Sequence, residues 1–145
     1  FIQRMEEEFT RSERYKSPFS LILMDMDGFK EINDTHGHLA GDAVLKDIAS
    51  ICISECRQID VFARFGGDEF AFIMPSIEAY QAEMFLERLN KRIDDHGITY
   101  KGITIKKQLS FGVAEWDPSM ESIEDMIASA DSSLYLVKGK RLSIA

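Results

Sequence analysis

Acidic residues stand at two places where an apolar run meets a turn. Asp25-Met26-Asp27 follows a short apolar run, and Asp68-Glu69 follows two consecutive glycines. If the strands that carry these residues are neighbours, the carboxylates gather at one edge of a sheet. Crowded carboxylates repel one another, and each then takes up a proton more readily. A divalent cation removes this conflict, and all-oxygen ligands favour a hard ion, Mg²⁺ or Mn²⁺, over zinc.

A metal held in this way could bind phosphates, so an acidic chain could hold a nucleotide. Isolated aspartates are usually solvated turn residues, but a strand before Asp25 and glycines before Asp68 favour rigid ligand positions. A calcium-binding EF-hand loop starting at Asp25 is excluded, because Lys30 and His36 stand where glycine and glutamate are required. The sequence also contains no Walker-type Gly-Lys-Ser/Thr loop.

The bulk composition limits the classes of partner. The chain has 145 residues and a net charge of −8, without the basic surplus that nucleic-acid binding requires. No apolar run approaches the roughly 18 residues of a membrane span, so we expect no direct membrane contact. Cys52 and Cys56 are expected to be small buried residues in a reducing compartment, not zinc ligands. These features together predict a cytoplasmic location.

The elements that must position the acidic residues follow from hydrophobic periodicity. Helices are expected near 1–16, 29–33, 41–56, 78–94 and 121–138, and strands near 19–24, 61–65, 68–74, 98–100 and 103–113. Helices combined with a hairpin at Gly66-Gly67 imply a mainly antiparallel sheet covered by helices, hence the α+β class. The fourth helix is expected to place Tyr80, Met84, Phe85 and Leu89 on one side. No linker or repeat divides residues 1–145, which predicts one domain.

The segment Arg64–Phe70 contains Gly-Gly-Asp-Glu-Phe, and the whole chain resembles the GGDEF family of bacterial diguanylate cyclases. Residues 25–34 are similar to the family's D-x-D-x-F-K-x-x-N-D segment, and residues 37–42 match its G-H-x-x-G-D. Residues 134–138 resemble its late L-Y-x-A-K motif. The resemblance implies a palm-like, nucleotidyl-cyclase or ferredoxin-like fold. Its central sheet would be mainly antiparallel, with about five strands flanked by helices.

The resemblance also implies an activity. A diguanylate cyclase condenses two GTP molecules into cyclic di-GMP and releases pyrophosphate, with two Mg²⁺ or Mn²⁺ ions in each active site. Each domain holds one GTP, so catalysis requires a homodimer. Two alternatives stay open, because an inactive family member could bind cyclic di-GMP or serve as a GTP-binding regulatory domain.

Individual roles follow from the matching motifs. The metal ligands implied by the resemblance are Asp25, the main-chain carbonyl of Met26, Asp68 and Glu69. The residues implied for catalysis are Asp68, Glu69 and Lys30. The triphosphate would be held by Gly28, Phe29, Lys30, Lys138 and Arg141, and guanine by Asn33 and Asp42. The family's inhibitory R-x-x-D site for the product falls on Arg57 and Asp60, with Arg88 of a neighbouring molecule as a further contact.

Two departures from the family pattern affect these expectations. The family's D-x-L-T-x-L-x-N-R motif, which would precede residue 1, is missing. We therefore expect an N-terminally truncated domain from a larger signalling protein, whose upstream part could be a sensor or a membrane anchor. The usual phosphate-binding arginine position falls on Leu142, so Arg141 is taken as its replacement.

Overall fold

The structure is a computed structural model that describes the main chain of residues 1–105 and 108–144 and the side chains of residues 1–105 and 109–134. The helices are α1 (Ile2–Tyr15), α2 (Phe29–His36), α3 (His38–Glu55), α4 (Ala79–His96) and α5 (Ile123–Ile144). The strands are β1 (Phe19–Asp27), β2 (Val61–Arg64), β3 (Glu69–Pro75), β4 (Ile98–Tyr100), β5 (Ile103–Ile105) and β6 (Gln108–Glu115).

A four-stranded antiparallel sheet forms the centre of the fold, in the order β2-β3-β1-β6. This confirms the expected α+β class with an antiparallel sheet. The expected strand 103–113 is two strands instead: β5 pairs with β4 in a separate ribbon, and β6 joins β1. The described residues therefore place four strands in the central sheet, where about five were expected.

Strand β1 lies in the middle of the sheet and is apolar on both faces. Ile22, Met24 and Met26 belong to one core, whereas Phe19 and Leu21 belong to a second core on the opposite face. Helices α3 and α4 supply residues to the first core, and α1 and α5 supply residues to the second. Because β1 is covered twice, its end is a rigid support for the residues that follow.

The buried apolar face of helix α4 differs from the face that was expected from the sequence. Its buried residues are Ala82, Phe85, Leu86, Leu89 and Ile93, which follow the helical period. Tyr80 and Met84 are exposed, so the expectation that they share one side of the helix with Phe85 and Leu89 was wrong. Each residue turns the helix by about 100°, and Met84 therefore points well away from its buried neighbour Phe85.

Several element boundaries differ from the sequence-based expectation; for example, α2 ends at His36 and not near Asn33. Strand β1 continues through Asp27, because its last residues still pair with β6. Helix α3 begins at His38, directly after Gly37, whose φ of 92° interrupts the helix. Helix α5 continues past Gly139 to Ile144. In the parts of the chain that the structure describes, no helix is both long and apolar enough to span a bilayer.

Gly112 allows α5 to lie directly against β6. A Cβ atom at this position would collide with the carbonyl oxygen of Ala130 and lie 2.7 Å from the main-chain nitrogen of Leu134.

We predict that Gly112→Ala lowers the free energy of unfolding by about 1–3 kcal/mol, because helix and strand must separate. Urea denaturation measures this change, with Ser132→Ala on the exposed side of α5 as the control. Equal urea midpoints for the two variants would contradict the close approach.

Candidate active site

The β1–β3 pairing brings the two acidic segments together. Asp25 lies opposite Glu69 in the register of β1 and β3, and opposite Ser110 in the register of β1 and β6. The Met26 N–H donates a hydrogen bond to the carbonyl oxygen of Asp68 at 3.2 Å. The turn that connects β2 and β3 is therefore folded against the end of β1, and the two strands that carry the acidic residues are neighbours.

Asp25 and Asp68 are in direct contact. Asp25 is only 7% exposed, and the side chains of the two residues are hydrogen-bonded. Burial raises the pKa of Asp68 above its ordinary value. The negative charge of Asp25, the hydrogen bond between the two carboxyls and the charge of Glu69 raise this pKa further. The fold thus holds two carboxylates at a distance where their charges repel.

This donor set fits a hard divalent cation. It contains only oxygen atoms, and a cation between Asp25 and Asp68 would replace the proton that they now compete for. The N–H and C=O of a strand residue point to the same edge, so the Met26 carbonyl also faces the turn. Across the described side chains, no three His, Cys, Asp or Glu residues converge on one point. A cation here would need further oxygen ligands from a bound molecule or water.

Glu69 is exposed beside this pair. Its carbonyl oxygen accepts hydrogen bonds from the N–H groups of Phe65 (2.8 Å) and Gly66 (3.3 Å), which closes the turn. Its side chain lies close to Gly66, because a Cβ atom there would be 3.3 Å from Glu69 Oε2. The side chain is therefore near the metal-ligand candidates without being buried among them.

Asp27 and Ser110 form a second polar pair that the sequence-based assignment did not include. The hydroxyl of Ser110 donates to both carboxylate oxygens of Asp27, at 3.0 and 2.8 Å, and Ser110 is fully buried. Asp27 is two residues after Asp25 and therefore lies on the same face of β1. The alternating acids of the D-x-D segment indicate that Asp27 belongs to the same site as Asp25. Its partner Ser110 on β6 is distant in sequence, so the pair itself could not be predicted.

The start of α2 follows directly after β1. Gly28 has a φ of 70°, a left-handed conformation that suits glycine, and it is the N-cap of the helix. Among the described residues no side chain caps this end, and Lys30 is exposed in the first turn. The first N–H groups of a helix attract anions, so Gly28, Phe29 and Lys30 together form a candidate phosphate site.

Asn33 on α2 is held against Gly41 on α3. A Cβ atom at position 41 would collide with Asn33 Oδ1, and it would lie 3.2 Å from Phe29 Cε2. Asn33 Oδ1 is buried and has no hydrogen-bond partner among the described residues. Asp42, the next residue along α3, is exposed. Gly41 therefore admits the Asn33 side chain beside Asp42, a role that the sequence-based assignment missed.

The residues of the R-x-x-D pattern form a compact turn before β2. The guanidinium of Arg57 donates to Asp60 Oδ1 from Nη2 at 2.8 Å and to the carbonyl oxygen of Pro75 at the same distance. The Asp60 side chain is fully buried, whereas the Arg57 side chain is 43% exposed. Arg88 on α4 reaches Glu55 at 3.4 Å, so it lies near the start of the same turn.

Two of the expected phosphate-binding residues lie near the end of the chain. Lys138 and Arg141 belong to α5, but their side chains lie outside the described residues. Their assignment to the triphosphate therefore stays a prediction.

The two cysteines lie apart from the acidic site, Cys52 on α3 and Cys56 directly after the last residue of this helix. Cys52 is buried and Cys56 is half-buried. Burial raises the pKa of Cys52 from 9.0 to about 12 and that of Cys56 to about 11. Smaller increases come from the neighbouring thiol for Cys52 and from the charge of Asp60 for Cys56. Both thiols are therefore protonated at neutral pH, as expected for structural cysteines.

We predict slow reaction of both thiols with an aromatic disulfide reagent at pH 8. With a pKa near 11, Cys56 should react roughly 100-fold more slowly than an exposed thiol of ordinary pKa, because only the thiolate is nucleophilic. Its rate should rise about tenfold per pH unit up to pH 10. A Ser50→Cys variant supplies the exposed reference thiol on the same helix. Equal rates for Cys56 and this reference would contradict the raised pKa.

Comparison with known proteins defines the class of this fold and site. The profile of the family "Diguanylate cyclase, GGDEF domain" matches residues 1–142. The chain is 38% identical over 120 residues to Diguanylate cyclase A of Treponema denticola, covering 83% of this chain and 32% of that protein. It is 38% identical over 136 residues to DgcP of Pseudomonas aeruginosa, covering 94% and 20% respectively. The chain thus spans a third or less of these two relatives.

Solved structures agree with this result. The GGDEF domain of Caulobacter crescentus DgcB in complex with c-di-GMP superposes with a TM-score of 0.89 at 28% identity, covering 95% of this chain and 82% of that one. The active GGEEF domain of a Vibrio cholerae diguanylate cyclase gives 0.88 at 28% identity, covering 96% and 88%. The chain belongs to the GGDEF diguanylate cyclase domain family.

Proposed function

We propose that this domain is an active diguanylate cyclase, which joins two GTP molecules into cyclic di-GMP and releases pyrophosphate. The contact between Asp25 and Asp68 carries the proposal, because a pair of repelling carboxylates is retained where a cation can neutralise it. An inactive binding module would not need this pair. The exposed Asp42 and the buried Asn33 oxygen, which has no hydrogen-bond partner among the described residues, support guanine as the base that is read.

The chain's own residues then have distinct tasks. Asp25, Asp68, the Met26 carbonyl and Glu69 would hold two Mg²⁺ or Mn²⁺ ions, which lower the pKa of an attacking hydroxyl and neutralise phosphate charge. Asp68 would accept the proton of the attacking 3′-hydroxyl, and Lys30 would hold phosphate oxygens together with the Gly28 and Phe29 amides. Asp42 would accept from guanine N1–H and N2–H₂, and Asn33 would both donate and accept. Lys138 and Arg141 are proposed to contact the triphosphate.

A homodimer follows from this assignment. The chain has one Asn33–Asp42 pair and therefore one proposed guanine pocket, yet the reaction joins two nucleotides. Two domains would have to meet face to face, with each 3′-hydroxyl directed at the α-phosphate held by the other domain. Such a pairing has two-fold symmetry, and catalysis should depend on the square of protein concentration when dimers are scarce.

Product inhibition is proposed at the turn that contains Arg57 and Asp60. Nε and Nη2 of Arg57 already donate to Asp60 and Pro75, so Nη1 is the nitrogen whose N–H groups are left to donate to a ligand. A guanine Hoogsteen edge or a phosphate of cyclic di-GMP offers acceptors for a charged donor of this kind. Arg88 of a neighbouring molecule would supply a second guanidinium to the same ligand.

Incubation with GTP and Mg²⁺, followed by mass spectrometry of the nucleotides, tests the central proposal. Cyclic di-GMP and pyrophosphate are the expected products, and no turnover is expected when EDTA removes the metal. If GTP stays intact while calorimetry detects binding of cyclic di-GMP, the binding-module alternative replaces the enzyme. Pyrophosphate release without cyclic di-GMP would reject the proposed product.

Asp68→Ala should lower cyclic di-GMP formation at least about 1,000-fold, because one of the two converging carboxylates is lost. The fold should survive, and the thermal midpoint should stay equal or rise, because a repulsion with Asp25 disappears. Initial rates and circular dichroism measure the two effects. Asp94→Ala on the exposed side of α4 is the matched control. Turnover of Asp68→Ala near that of Asp94→Ala would reject the metal assignment.

Arg57→Ala should weaken inhibition by cyclic di-GMP at least about tenfold, because a charge-assisted hydrogen bond to the ligand is lost. Each variant's inhibition curve is normalised to its own initial rate without product, so any change in basal activity is separated. Arg57→Lys keeps the charge but loses the planar fork, and it should give an intermediate curve. Superimposable curves for the wild type and Arg57→Ala would exclude an inhibitory role for this turn.

A further inference from the structure

The turn between β2 and β3 has little restraint of its own. It is closed by the N–H groups of Phe65 and Gly66, which both donate to the carbonyl oxygen of Glu69. Its centre is Gly66-Gly67, and glycine has more accessible backbone conformations than any other residue. Neither glycine has a positive φ, and a Cβ at Gly67 would meet no atom of the described residues within 4 Å. Packing therefore does not fix the Gly67 peptide, and a Cβ at Gly66 would contact only the side chain of Glu69 among the described residues.

Arg64, the last residue of β2, supplies the missing restraint. Its Nε donates to the carbonyl oxygens of Gly66 and Gly67, both at 3.1 Å, and its Nη2 donates to Gly67 as well. The side chain is exposed, yet its guanidinium is turned back onto its own loop. Within the described residues it makes no ion pair with a carboxylate. One guanidinium thus clamps two successive carbonyl groups.

We propose that Arg64 is a positioning residue for the cyclase reaction, which fixes the Gly66-Gly67 turn so that Asp68 is presented to Asp25. The proposal rests on the proposed function and adds to it a residue that touches none of the reacting groups. In a trans peptide the N–H points opposite to the preceding C=O, so the clamp also directs the Gly67 and Asp68 N–H groups away from Arg64. The guanidinium therefore sets the orientation of the peptide that carries Asp68.

The physical need for such a clamp follows from the repulsion at the site. Asp25 is fixed in β1, so Asp68 would relieve the repulsion by moving away if its turn were free. The two glycines before Asp68 make this movement easy. The hydrogen bond from the Met26 N–H to the main-chain carbonyl oxygen of Asp68 holds only one side of the turn. Arg64 holds the other side. Lysine could not replace it, because a single ammonium group lacks the fixed planar fork of donors.

The test compares Arg64→Ala and Arg64→Lys with Arg14→Ala, an exposed arginine at the end of α1. Initial rates with GTP and Mg²⁺ should show kcat at least about tenfold lower in both Arg64 variants, with KM for GTP within about threefold. The Mg²⁺ concentration for half-maximal rate should rise several-fold. Millimolar guanidinium ion should partly restore Arg64→Ala and leave Arg14→Ala unaffected, which a loss of folding would not show.

Equal kcat values for Arg64→Ala and Arg14→Ala would overturn the proposal, and so would a rise in KM at unchanged kcat. A second measurement does not depend on turnover. The ¹⁵N relaxation of Gly66 and Gly67 should report increased motion in Arg64→Ala, while the remaining amides keep wild-type values. If the wild type makes no cyclic di-GMP, the proposed function fails. The relaxation measurement alone then decides whether Arg64 restrains the Gly66-Gly67 turn. Unchanged relaxation at both glycines would then reject it.

Discussion

The site depends on the antiparallel pairing of β1 and β3, which forces two carboxylates together. Asp25 lies opposite Glu69, and the turn before Glu69 is hydrogen-bonded to Met26, so Asp68 must meet Asp25. This contact is unfavourable on its own, as the raised pKa of Asp68 indicates. It persists because β1 is packed on both faces and cannot withdraw. Local repulsion supported by a well-packed sheet is typical of functional sites.

Two glycines permit close approaches on which the rest of the architecture relies. Gly112 lets α5 lie directly on β6, and Gly41 leaves room for the side chain of Asn33. At Gly41 this leaves Asn33 Oδ1 buried and without a hydrogen-bond partner among the described residues. A buried polar atom of this kind is costly unless a ligand satisfies it. The fold thus leaves a hydrogen-bonding position open beside Asp42, where the proposed guanine would bind.

The overall charge of the chain also becomes understandable. A protein with a net charge of −8 is a poor general binder of phosphates. In the proposed function the anionic substrate is held by cations at Asp25 and Asp68, by the main-chain amides at the start of α2, and by a few lysines. None of these features requires a basic surface. Local geometry therefore outweighs net charge in deciding which ligand the domain can accept.

The order of helices and strands was readable from the sequence, because hydrophobic periodicity and the glycine pair are local signals. The same local patterns misjudged Tyr80 and Met84, since the burial of a helix face depends on which element packs against it. They also merged β5 with β6, because the two β-type segments are close together in the chain and only pairing with β4 or with β1 separates them.

The sequence alone determined the residue types of the site, through motifs in which Asp25, Asn33, Asp42 and Asp68 keep fixed spacings. Only the tertiary structure decided which of these residues touch. The contact of Asp25 with Asp68 crosses more than forty residues of chain, and the Ser110–Asp27 pair joins two strands 83 positions apart. Such contacts are set by strand register, which depends on the packing of whole faces and on turn geometry, and a local sequence pattern does not identify the partner strand.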